Sequence, residues 1–81
     1  MNVDQALAVV ALHHHLGMPQ ANVARVIWFT WCVRGAWAPP MVPDWEAEGA
    51  RLVSAAEGCL GYPPGTLQPG GGPLPQGGML P

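Results

Sequence analysis

From Gly61 to Pro81 the chain carries seven glycines and six prolines among 21 residues and no charge at all. Proline lacks the N–H that helices and sheet ladders require and glycine has no side chain to pack, so this stretch is excluded from regular helix and from a central strand. Tyr62-Pro63-Pro64 favours polyproline II, and Gly70-Gly71-Gly72 reads as a flexible joint. At about 3.1 Å per residue the segment reaches roughly 60 Å when fully extended. The expectation is an extended Pro/Gly-rich C-terminal arm over residues 61–81, carried by a body of about 60 residues, near the lower limit for a core that is stable alone.

That body reads as all-α, with three helices at about 3–16, 20–37 and 44–60. The first opens on Asn2 with Gln5 three residues on, close to a capping box, and stops at Gly17. At 100° per residue Val3, Leu7, Val10, Ala11 and His14 share one face, and Val9, Leu12 and Leu16 gather opposite. Pro19 suits the first turn of the second helix, and Pro39-Pro40 forbids its continuation beyond Trp37. Its centre, Val26 to Val33, is apolar all round, as for a helix buried on every side. The third begins at Pro43-Asp44, has Glu46 and Glu48 in its first turn and ends at Gly61. Trp45, Gly49, Leu52, Val53, Ala56, Cys59 and Leu60 form its dry face; Glu46, Arg51, Ser54 and Glu57 form its wet face, with Glu48 positioned to pair with Arg51.

Charge is scarce. Three arginines, no lysine and five carboxylates give a net charge of −2. Nucleic-acid binding needs clustered cations to displace counterions from phosphates, so no nucleic-acid partner is expected. A helix-turn-helix regulator is nonetheless one alternative, because Leu12, Leu16, Gly17, Met18, Val23 and Val26 sit where that motif places its apolar residues and turn glycine. Against it, only Gln20, Asn22 and Arg25 precede a wall of Trp28, Phe29 and Trp31. A peripheral membrane protein is the other alternative. The apolar run Val26–Val33 covers only about 12 Å of a hydrocarbon core of about 30 Å, and the helix lacks a basic polar face. Met1-Asn2-Val3-Asp4 has no positive n-region, so the expected location is intracellular, or within a virus particle, rather than secreted by a signal peptide.

No catalytic, cofactor or metal site is expected, and no small-molecule substrate. The imidazoles of His13, His14 and His15 point about 100° apart on a helix and cannot converge on one ion; in this reading His14 packs on the apolar face while His13 and His15 flank it. Cys32 and Cys59 read as buried thiols rather than nucleophiles, with a disulfide as the minority case. What remains is protein contact. Aromatic area is concentrated in a chain too short to bury all of it, and Trp and Arg are the commonest interface anchors. The candidate partner-binding residues are Trp28, Trp31, Arg34 and Trp37 on the second helix. On the arm they are Tyr62, Leu67, Leu74, Met79 and Leu80, apolar hooks suited to successive pockets of a neighbour. The functional expectation is a small non-catalytic structural or accessory subunit of a larger assembly, a virus or phage particle being one setting that suits it.

Overall fold

The computed structural model describes residues 1–34 and 41–74, with side chains described for residues 1–30 and 41–74. Within them the chain forms α1 (Val3–Val9), α2 (Gln20–Arg34) and α3 (Trp45–Leu60), with α1 prolonged by a π-helical segment, Val10–His15. No strand occurs among the described residues, and the fold is all-α. The expected end of the second helix at Trp37 lies outside the described residues, as do Met79 and Leu80.

Local chemistry accounts for the helix ends. Asn2 Oδ1 accepts the Gln5 N–H at 2.8 Å and Gln5 Oε1 accepts the Asn2 N–H at 3.2 Å, a complete capping box. Asp44 Oδ1 takes the N–H groups of Glu46 and Ala47 at 3.1 and 3.2 Å, so a carboxylate caps α3. The other end of α3 closes as a Schellman motif. Gly61 is left-handed at φ 80°, Tyr62 N–H bonds to Glu57 O at 2.8 Å and Gly61 N–H to Gly58 O at 3.4 Å.

The core is built from Ala6, Val9, Val10, Val23, Ala24, Ile27, Leu52, Val53, Ala56, Leu60 and Leu67. Many of these side chains are small, so the helices must approach closely. At the tightest point Gly49 of α3 meets the backbone of Gln20, where a Cβ would stand 2.1 Å from the Gln20 carbonyl oxygen.

Four expectations are corrected here. First, α1 buries Ala6, Val9, Val10, His13 and His14, and leaves Val3, Leu7, Ala11 and Leu16 exposed. A π turn bonds i→i+5, as Leu16 N–H does to Ala11 O at 3.0 Å, and this shifts the register after Val9 so that two consecutive histidines are buried. Second, α2 is not buried on every side: Val23, Ala24 and Ile27 face the core, whereas Arg25, Val26 and Phe29 are exposed. Third, the dry face of α3 is turned away from Cys59, which is exposed, toward Glu57, which is buried. The segment after α3 packs on the Glu57 side and covers it.

Fourth, residues 61–74 carry no helix or strand but do not form an extended arm. They lie on the body through two turns. Thr66 N–H bonds to Pro63 O at 3.2 Å and Gly71 N–H to Gln68 O at 2.9 Å, with Gly65 and Gly70 at φ 87° and 65°. Pro64-Gly65 and Pro69-Gly70 thus occupy the two central positions of their turns, the placement that type II geometry favours. Between them Leu67 enters the core.

Candidate functional site

Two clusters hold the polar and aromatic side chains that could act. The first is a seam where residues 67–72 lie against α3 and the π-helical segment. Glu57, 4% exposed, accepts the Leu67 N–H at 2.9 Å. His13, also 4% exposed, bonds through Nδ1 to the Met18 carbonyl at 2.9 Å, and since a carbonyl only accepts, Nδ1 carries the proton. His14, 3% exposed, has the Gln68 N–H 3.1 Å from Nδ1 and the Gly72 carbonyl 2.6 Å from Nε2. The Glu57 and His14 bonds satisfy the backbone of a segment that has no secondary structure to do so, and the His13 bond serves the turn into α2. Both ring nitrogens of His14 are committed to the protein's own chain. Among the described residues no group of three or more His, Cys, Asp or Glu side chains could hold a metal ion.

The second cluster is aromatic and spans α2 and α3. Asn22, Arg25, Val26 and Phe29 follow one another at helical spacing on the exposed side of α2. Phe29 stacks on Trp45 of α3 with centroids 6.4 Å apart and planes 19° from parallel. The Arg25 guanidinium lies 5.7 Å from the Trp45 ring centroid, within cation–π range, and is steadied by Asn22 Oδ1 at 2.8 Å. Phe29 stays 46% exposed and Val26 38%.

Trp28, one position before Phe29, points elsewhere. Its indole N–H donates to Glu48 Oε2 at 2.8 Å, and Arg51 forks onto the same carboxylate, through Nε to Oε1 at 3.1 Å and through Nη2 to Oε2. The expected Glu48–Arg51 pair is present and has gained a tryptophan. Arg51's hydrogen bonding holds the Glu48 carboxyl below the ordinary glutamate range, with the Trp28 indole adding to it and partial burial opposing it; the same pairing raises Arg51. A depressed carboxyl contributes stability that is present above its unfolded value and lost as pH falls through the folded one. The stability difference between the native chain and Glu48→Gln is therefore expected to be constant above about pH 5.5 and to shrink toward zero in stronger acid. Urea midpoints measured across that range check it.

Of the candidate partner-binding residues, Trp28 is half-buried on the Glu48–Arg51 pair, Leu67 is in this chain's own core, and Tyr62 and Leu74 pack partly buried against that core. Trp31 and Arg34 lie on the last turns of α2, their side chains outside the described residues; Trp37, Met79 and Leu80 lie outside them altogether. Of the four whose side chains are described, Leu67, Tyr62 and Leu74 pack against the core and Trp28 also bonds Glu48. Asn22, Arg25, Val26 and Phe29 stand at i, i+3, i+4 and i+7 on α2, the last two within the run expected to be apolar all round, and Trp45 joins them from α3. Among the described residues no helix is long and apolar enough to cross a membrane. Neither family models, nor curated proteins, nor solved structures give a match to this chain.

Proposed function

We propose that this protein is a small non-catalytic accessory or structural subunit of a larger protein assembly, meeting a neighbouring subunit through the α2–α3 aromatic face. The observation that carries this reading is the exposure of Phe29 and Val26 beside Trp45 and Arg25. A stacked aromatic pair with an arginine over one ring offers large, stiff contact area that loses little conformational entropy on binding, and Trp and Arg are the residue types that most often anchor interfaces. The scarcity of charge on the chain agrees with a surface that is covered in use. A virus or phage particle is one setting for such a subunit, and a multisubunit cellular complex another.

The test is fractionation at native abundance. The native chain is expected to migrate in a stoichiometric complex identifiable by mass spectrometry, and Phe29→Glu to release it while the isolated variant keeps its helical circular dichroism. A native chain that migrates as a free monomer in its source cells, or a Phe29→Glu chain that stays in the complex, overturns the reading.

A further inference from the structure

The segment after α3 is fastened to the body at one imidazole whose protonation state the geometry dictates. A backbone N–H can only donate and a carbonyl can only accept. With the Gln68 N–H on Nδ1 and the Gly72 carbonyl on Nε2, the His14 ring must present a lone pair at Nδ1 and a proton at Nε2. That is the neutral Nε2–H tautomer. Gly71 lies directly over the ring between these two contacts, so close that a Cβ there would fall 2.2 Å from His14 Cε1. The chain from Gln68 to Gly72 is wrapped around a single side chain.

We propose that His14 is a proton-controlled latch for the C-terminal segment. Adding a proton at Nδ1 sets N–H against N–H, removes the acceptor for Gln68 and leaves a charge in a site that has 3% exposure. Residues 67–72 then leave the body, Leu67 is withdrawn from the core, and the three helices remain.

The groups around the ring are few. His13 precedes it and is engaged with the Met18 carbonyl; the His15 ring meets it edge-on with centroids 5.3 Å apart. On α3 Glu57 holds the Leu67 N–H, next in sequence to Gln68. The segment itself brings no charged side chain, and Arg25 and Arg51 are bonded to Asn22 and Glu48. Glu46 of α3 lines the same groove as Glu57, beside Leu67 and Gln68. The latch holds whether or not the chain joins an assembly.

Nitrogen chemical shifts of the full chain at neutral pH are expected to show His14 as the Nε2–H tautomer. Hydrogen exchange of the Gln68 and Gly71 amides, corrected for intrinsic rates, is expected to lose at least about tenfold protection over the pH interval in which the His14 ring shifts report protonation. Val23 and Ala56 amides serve as the core reference and keep theirs. His14→Gln retains one acceptor and one donor but cannot take a proton, so its Gln68 protection is expected to be independent of pH over the same interval. Gly71→Ala is expected to be open throughout. The proposal is overturned by the other tautomer, by unchanged Gln68 protection once the ring shifts report protonation, by equal pH dependence in His14→Gln, or by parallel loss at Val23 and Ala56.

Discussion

Replacing Gly49 by alanine is expected to lower the melting temperature by about 10–20 °C. The added Cβ would lie 2.1 Å from the Gln20 carbonyl oxygen, 2.4 Å from its carbon and 3.0 Å from the Ala21 nitrogen, all backbone atoms of the first turn of α2. A side chain can swing away from such a clash; a helical backbone can only move as a body. Relieving it separates α2 from α3 along the contact that buries Val23, Ala24, Leu52 and Val53, at a cost of about 2–3 kcal/mol. In a small domain that is a large fraction of the whole stability. Gly58, on the same helix, provides the control. Nothing lies within 4 Å of its virtual Cβ, so Gly58→Ala is expected to stabilise by about 0.5–1 kcal/mol through helix propensity alone. Thermal circular dichroism of the two variants is therefore expected to move in opposite directions, and equal or same-signed shifts would overturn this account of the α2–α3 contact.

The second large effect concerns the segment after α3. Leu67→Ala removes a side chain that is 3% exposed, for which about 2–4 kcal/mol is the usual cost. Glu57→Ala strands the Leu67 N–H without an acceptor, at about 1–3 kcal/mol. The two losses are not expected to add. Once either change has undocked the segment, the other removes a contact that no longer exists, so the double variant should be little worse than the worse single one. Denaturant midpoints for the four chains of the cycle measure this. Full additivity would mean that Leu67 and Glu57 contribute to the body separately and that the segment stays docked when one of them is lost.

The helices were legible because their ends are written in short-range chemistry. Asn2 with Gln5, Asp44 with Glu46 behind it, and Gly61 each fix a boundary by hydrogen bonds within a few residues, and all of them appear in the structure. The seam was illegible for the opposite reason. Burial of His14 and Glu57 depends on the segment after α3, which meets them through Gln68, 54 residues from His14, and Leu67, 10 residues from Glu57, and on a π turn that no local preference announced. The fate of that segment did have a signal. Counting its glycines and prolines suggested an extended arm, whereas their order, Pro-Gly at 64–65 and again at 69–70, specifies turns. Composition speaks to what a stretch cannot become, and dipeptide order to what it does. On the second helix, an all-apolar run concealed the fact that a short chain has too few neighbours to cover four sides. Exposure of Phe29 follows from that shortage rather than from any property of Phe29.

The π-helical segment makes the seam a matter of counting. A π turn amounts to one residue more than an α-helix needs between two fixed points, and here the fixed points are the Ala6–Val9 face upstream and the Gly17 turn downstream. Ala11 lies in that segment and is exposed, contributing length but little packing. Deleting Ala11 is therefore expected to turn His14 about 100° around the helix axis relative to the Ala6–Val9 face and to unseat it from Gln68 and Gly72.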